Sequence, residues 1–303
     1  MDRKKLFRNV VLMGWLLGHF VTAEAYLRDP EEISDSLFRS ISTKSLKEYL
    51  DEGGDANESI FKTPLLICAV NHGRYDLVRF LLERKVDPNV VGDQRRDTPL
   101  GDAVRKGDYK IVRLLLRYGA DPNKESGLYT PLVHAVHHCC WGKLRAGLAI
   151  IELLLENGAD PNPDPERTFE LPLHAAACGG ASLEVFKTLI DGGADMEGKN
   201  RDGDTPLHEA AWNGNCLQVQ ELIDGRVDVN APNKHGETPL DYAFSGRNRI
   251  NKEIHEKGFR SPLLKAWVQR EYTATISYLR SKGARVGSNS ESEDSSESET
   301  KRK

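Results

Sequence analysis

The sequence has no glycine-rich loop leading into a helix with Lys-Ser or Lys-Thr, so no segment is suited to cradle a nucleotide phosphate. It has no G-x-S-x-G, the turn that exposes a nucleophilic serine. There is no basic stripe either. Lys and Arg number 42 against 46 Asp and Glu, the formal charge is −4, and the two signs are mixed along the chain. That argues against a nucleic-acid partner. The apolar run from Val10 to Val21 falls short of the roughly 20 residues that a comfortable membrane span needs. Cysteine is sparse: Cys68, Cys139, Cys140, Cys178 and Cys216 are the only five, without the spacing of a disulfide framework. An odd count leaves at least one thiol free in an exported chain, and Cys68 reads as a core residue. Whether Cys139 or Cys140 pairs with Cys178 is left open. These absences predict a protein without catalysis, cofactor or small-molecule substrate. An enzyme would have to hide its site in inserted segments.

What is present is repetition. The 303 residues are 39% hydrophobic and 29% charged, enough for an extended core. The stretch Thr205-Pro206-Leu207-His208-Glu209-Ala210-Ala211-Trp212-Asn213-Gly214 predicts a short helix. Thr205 can cap its start, Pro206 suits the first helical position, and Gly214 can end it. Leu217, Leu222 and Ile223 give a second apolar face. Two helices of two to three turns cannot bury a core alone, so the unit predicts its own recurrence. Thr63-Pro64-Leu65, Thr98-Pro99-Leu100, Thr130-Pro131-Leu132, Leu171-Pro172-Leu173-His174 and Thr238-Pro239-Leu240 open comparable units. Val86-Asp87-Pro88-Asn89, Gly119-Ala120-Asp121-Pro122-Asn123, Gly158-Ala159-Asp160-Pro161-Asn162 and Gly193-Ala194-Asp195 close them.

A period of roughly 33 with T-P-L-H-x-A resembles the ankyrin-repeat family, from about Ile33 to Ala284. The resemblance implies an all-α fold: an ankyrin-repeat solenoid of stacked helix pairs with short β-hairpin loops. It implies binding of a protein partner, whose identity it leaves open. It also implies hydrogen-bonding structural roles for His174 and His208. Asp87, Asp121, Asp160 and Asp228 read as turn formers, since Asp bonds its own backbone in loops.

The ends fall outside the repeats. Arg3, Lys4, Lys5 and Arg8 precede the apolar run, and Ala23-Glu24-Ala25 follows it, the layout of a secretory signal peptide cut after Ala25. That predicts a secreted or periplasmic protein. The alternative is an uncleaved segment that anchors the chain to a membrane. Removing residues 1–25 takes out four basic and two acidic residues and leaves a net −6. Residues 26–57 read as a degenerate capping repeat, with Ser36, Leu37, Phe38 and Ile41 on its first helix and Leu46, Tyr49 and Leu50 on its second. Residues 58–284 read as six repeats. The fourth carries an insertion near Cys139–Gly147, expected as a long loop between its helices. The last carries an insertion and a cap starting at Pro262, with Leu264, Trp267, Val268, Ile276 and Leu279 inward. Residues 285–303 have almost nothing apolar and are expected to be disordered. The serines beside acids there leave a second reading, a tethered or intracellular scaffold with a phosphorylated tail.

Family hairpins place glycine two residues before the Thr, as Gly203 and Gly236 do. Phe61, Arg96, Leu128 and Phe169 stand there in the other units, which predicts reshaped hairpins, because a bulky residue at φ > 0 is strained. Phe61, Tyr129 and Phe169 are then candidates for partner contact, or they fold onto the neighbouring repeat. By the resemblance, positions four and seven after the Thr face the partner. These are Ile67, Asp102, His134, Ala175 and Glu209, then Val70, Arg105, His137, Cys178 and Trp212. Trp212 and Arg105 are of the types enriched at binding hot spots. The alternative for Trp212 is to cover a gap between repeats. His134, His137 and His138 share a helix face. They could present nitrogen ligands to a metal such as zinc, or form a plain polar face. The first reading assigns no metal.

Overall fold

A computed structural model describes residues 43–51, 55–57, 59–60, 63–92, 96–140, 142–178, 181–256 and 262–287. The segment expected to be a signal peptide (residues 1–25), Ser36, Leu37, Phe38, Ile41 and Phe61 lie outside them, as do the side chains of Tyr49, Leu264 and Trp267. The described helices are α1 (Thr43–Asp51), α2 (Leu65–Asn71), α3 (Tyr75–Glu83), α4 (Pro99–Lys106), α5 (Tyr109–Arg117), α6 (Pro131–Cys140) and α7 (Leu144–Glu156). They continue with α8 (Pro172–Cys178), α9 (Leu183–Asp191), α10 (Pro206–Trp212), α11 (Cys216–Asp224), α12 (Pro239–Glu256) and α13 (Pro262–Ser281). The described strands are β1 (Ser59–Ile60) and β2 (Thr63–Pro64), an antiparallel pair with Ser59 opposite Pro64. Two compact units result: residues 1–134 with 156–159, and residues 135–155 with 160–303.

In the first unit the core is the facing stripes of α2 to α5. Leu66, Ile67, Ala69 and Val70 meet Leu77, Val78 and Leu81; Leu100, Ala103 and Val104 meet Ile111, Val112 and Leu115, all buried. Each fully buried Leu or Ile contributes roughly 2 kcal/mol, which isolated helices of this length lack. Leu46 and Leu50 of α1 are buried as well. The second unit repeats the pattern with Leu173 and Ala176, Val185, Phe186 and Leu189, Leu207 and Ala210, then Val219 and Leu222. Val268, Ile276 and Leu279 of α13 close it.

The closing Asp residues form turns. Asn89, Asn123, Asn162 and Asn230 each donate a backbone N–H to the carboxylate of the Asp two residues before, at 2.8–2.9 Å. The Asn side chains then reach one repeat further. Asn89 Nδ2 donates to Gly119 O in the first unit (3.1 Å), and Asn162 Nδ2 to Gly193 O in the second (2.8 Å).

The opening motif is capped in several ways. In α10, Thr205 N donates to His208 Nδ1 (3.1 Å), and the ring's Nε2–H donates on to Glu237 O (3.2 Å). In α12 a carboxylate replaces the ring: Thr238 N and Oγ1 both donate to Asp241 Oδ2 at 2.8 Å. In α4 the histidine position is Gly101, and Ser126 fills the space. Thr98 N donates to Ser126 Oγ at 2.9 Å, and a Cβ on Gly101 would lie 2.1 Å from Ser126 Cβ. In α8 Leu171 replaces the Thr. His174 Nε2–H still donates to Asp204 O (2.9 Å), but His174 Nδ1 is buried with no partner.

Three expectations need correction. The fourth unit's insertion forms no long loop. It lengthens α6 to 10 residues and α7 to 13, against 8 and 9 in the pair before. Gly147 allows this, since a Cβ there would sit 2.1 Å from Cys139 Sγ and the helices close directly. Second, Arg96 itself takes the left-handed conformation that glycine favours, at φ +54. In the next unit the left-handed residue moves to Gly127, one place before Leu128, and that hairpin is reshaped. Third, the disorder expected from residue 285 does not begin there. Gly287 N donates to Asp241 Oδ2 at 2.7 Å, and Arg285 O lies 2.8 Å from Thr238 Oγ1, whose single proton it shares with Asp241.

Candidate functional site

The residues that resemblance aims at a partner divide between the units. In the first unit, Asp102 of α4 has a fully buried side chain; one carboxylate oxygen accepts from Arg105 Nη2 and the other is without a partner. Burial raises its pKa, and the Arg105 hydrogen bond opposes the rise. Asp102 therefore lies beneath Arg105 and is covered. The surface there is the Arg105 guanidinium, on a side chain 39% exposed. His134 donates from Nε2–H to Ser126 O at 3.0 Å, and Tyr129 stands edge-on to its ring, centroids 5.5 Å apart. Tyr129 has thus folded onto the first turn of α6, the blander of its two readings.

In the second unit, Nε2 of His137 in α6 lies 3.1 Å from Glu170 Oε2, both partly buried. Glu170 belongs to the hairpin before α8, next to Phe169, which is 62% exposed. Glu209 of α10 is half-buried. Burial pushes its carboxyl up to about 7, and the neighbouring charges add to the rise, since they are those of Asp204, Glu170 and Asp202. Cys178, at the end of α8, has its thiol raised by burial first and then by Glu209 and Glu170. His137, Glu170, Cys178 and Glu209 thus form one electrostatic neighbourhood. Glu170 and Asp204 were not singled out from the sequence, because their role depends on which hairpin folds beside which helix.

Trp212 is engaged inside this unit. Its ring meets Tyr242 of α12 edge-on at 5.8 Å, and Arg249 of α12 lies over it at 5.3 Å. Tyr272 of α13 donates its hydroxyl to Trp212 O at 2.7 Å. A Cβ on Gly246 would fall 2.0 Å from that same oxygen, so α12 lies directly on the end of α10. Trp212 thus joins α10 to α12, the gap-covering role.

The five cysteines are free thiols. His138 is buried, and no group of three or more His, Cys, Asp or Glu among the described residues is arranged to hold a metal ion. No helix among the described residues is long and apolar enough to cross a membrane.

Comparison with known proteins agrees with this architecture. The family model described as "Ankyrin repeats (3 copies)" matches residues 37–126, 66–165 and 173–290. The chain is similar to the ankyrin-repeat domain of human ASB11, at 27% identity and a TM-score of 0.56, over 71% of this chain and 92% of that one. It shares its fold with the ankyrin-repeat domain of Bcl-3, a member of the IkappaB protein family. There the identity is 22% and the TM-score 0.56, over 72% of this chain and 94% of the other. No curated protein matches the chain in sequence. Ankyrin repeats are a protein–protein interaction module, and with helix pairs, Thr-Pro-Leu caps and Asp turns in phase along most of its length, the chain belongs to the ankyrin-repeat family.

Proposed function

We propose that this chain is an exported ankyrin-repeat protein that binds a protein partner without catalysis of its own, and that the partner seats a lysine or arginine over Glu209. The observation that carries the binding reading is the setting of Glu209. It is a half-buried carboxylate whose charged neighbours are all acids, so the free protein holds it against its ionised form. A basic side chain arriving there restores the charge and gains a desolvated ion pair, the kind of contact that sets specificity in an interface. His137 with Glu170 flanks it, and Phe169 supplies exposed aromatic surface nearby in sequence. Arg105 in the first unit, held by Asp102 beneath it, is a second contact of the hot-spot type.

Affinity capture from the native source at pH 7.5, with wild type and Glu209→Lys in parallel, tests the site. A partner that depends on Glu209 is recovered with wild type and lost with the charge reversal. Equal recovery by both removes Glu209 from the interface. Support for export comes from the basic head, the Val10–Val21 run and Ala23-Glu24-Ala25. The native protein, sequenced from its N-terminus, is expected to start at Tyr26; a start within residues 1–9 refutes cleavage.

A further inference from the structure

The last helix pair builds a feature that the repeat motif does not call for. α12 has 18 residues and α13 has 20, against 7 and 9 in α10 and α11. Their extra turns flank the turn between α10 and α11, and a solvent-open cleft of about 320 Å³ lies between them. Leu217, Ile250, Val268 and Tyr272 give it apolar walls. Leu217 is 63% exposed although it is a large aliphatic residue at the start of a helix. Tyr272 is fixed by its hydroxyl bond to Trp212 O, and Gly214 lies against its ring.

The polar part of the cleft is biased toward acceptors. Gln218 is 4% exposed, and its Nε2 donates to Ala181 O at 2.9 Å and Ala176 O at 3.3 Å. Those two bonds fix the amide, and its Oε1 is left buried without a donor. A buried amide oxygen in that state is costly unless something supplies an N–H. Glu271 adds a carboxylate to the lining and is paired at the surface with its neighbour Arg270 at 3.2 Å. The lining's cation, Arg249, is already committed to the Trp212 ring and to Glu253 at 3.3 Å.

We infer that this cleft is a docking site for an extended peptide segment of a partner protein, in which a bulky aliphatic side chain enters between Leu217, Ile250 and Val268 and an adjacent lysine or arginine meets Glu271. A volume of this size holds one or two side chains and no folded element. The open side suits a chain that stays half in solvent. The carboxylate favours a cation beside the apolar group, since its pairing with the exposed Arg270 is a surface contact worth little. The site stands apart from the Glu209 reading, so each can fail alone.

The test is an amide-shift titration of the full chain by NMR with four probes: acetyl-Leu-Lys-amide, acetyl-Leu-Glu-amide, acetyl-Gly-Lys-amide and isoamyl alcohol. The Leu-Lys probe is expected to shift the amides of Leu217, Gln218, Ile250 and Tyr272. It should bind about threefold more tightly than the Leu-Glu probe, the scale of one partly exposed ion pair. The Gly-Lys probe should lose most of the shift. Leu217→Ser, at an exposed position, should weaken the Leu-Lys probe, Glu271→Gln should abolish its advantage over Leu-Glu, and Glu209→Gln should change neither. Shifts elsewhere, no shift at millimolar probe, or equal affinity for Leu-Lys and Leu-Glu overturn the proposal. Equal shifts with isoamyl alcohol also overturn it and make the cleft a site for small apolar molecules.

Discussion

Replacing Glu209 with Gln keeps the side chain's shape and removes its charge. In the folded chain the carboxyl titrates near 7, against an ordinary value of 4.5. At about 1.4 kcal/mol per tenfold change in acidity, ionising it in the fold costs about 3 kcal/mol more than in the unfolded chain. The side chain is only half-buried, and solvent screening brings that to about 2 kcal/mol. The sign follows from proton binding. Between pH 4.5 and 7 the folded state holds a proton that the unfolded state has released, so stability falls as pH rises through that window and stays low above it. His174 and His208 act oppositely. Burial lowers both, so they are neutral in the fold and take up protons on unfolding below about pH 6.5, which erodes stability in acid. Wild type alone therefore shows a maximum, and only the difference between wild type and Glu209→Gln isolates the glutamate. Urea denaturation at pH 5, 6, 7 and 8 should give two curves that nearly coincide at pH 5, with the variant about 2 kcal/mol more stable at pH 8. A variant that is equally or less stable at pH 8 would refute the reasoning, because Glu209 would then have a favourable partner within the fold.

Leu171→Thr should be about 1 kcal/mol more stable than the isosteric Leu171→Val, because its hydroxyl reaches His174 Nδ1, read by thermal denaturation; equal stability of the two would mean that the two rings are not equivalent. Trp212→Ala should lose about 3 kcal/mol and lower the melting temperature, since the ring and backbone join α10 to α12 and α13. An unchanged melting temperature would return Trp212 to the contact surface. A chain ending at Ala284 should be about 1–2 kcal/mol less stable than one ending at Gly287, because it loses the bonds to Thr238 and Asp241. Identical melting of the two would show that Arg285 to Gly287 contribute nothing.

The repeat was legible because its signals are local. Thr-Pro-Leu at a helix start, Asp two residues before Asn in a turn and glycine after a short helix each act within a few residues, and the structure shows all three. The fate of the insertions was not legible. Whether added residues bulge or extend a helix depends on whether the two helices can close, and Gly147 against Cys139 decides that across the pair. Arg96 departs from the expectation for a related reason: a non-glycine residue holds φ +54 where its surroundings fix it, and Gly127 N donates to its carbonyl at 3.2 Å. Among the candidate residues, the settings were not legible. Asp102 was expected at a surface and lies under Arg105. Trp212 had two readings, a partner contact or a gap cover, and it bridges two helices. Glu209 was one of a row, and its importance came from Glu170, Asp202 and Asp204, whose approach no spacing in the chain reveals.

The departures from the motif fall into two kinds, and the difference bears on function. Gly101 lacks the capping ring, and Ser126 replaces it; the unit beginning at Thr238 lacks it too, and Asp241 does the same work. Glu197 stands where other units have Asn, and its carboxylate still accepts from Asp228 N at 2.9 Å. These changes are compensated, since each keeps the backbone N–H partnered. Asp102 and Glu209 are not compensated. Both sit four residues after the opening Thr, where Ala175 and Ile67 show that an apolar side chain serves the fold. Both bury a carboxylate, one with an unpartnered oxygen and the other among like charges. Folding alone disfavours such residues by a few kcal/mol. A sequence otherwise consistent from cap to core breaks its own rules where something outside the fold is recognised. That the same motif position breaks twice, in separate units, is the strongest reason to look for the partner on the first helices.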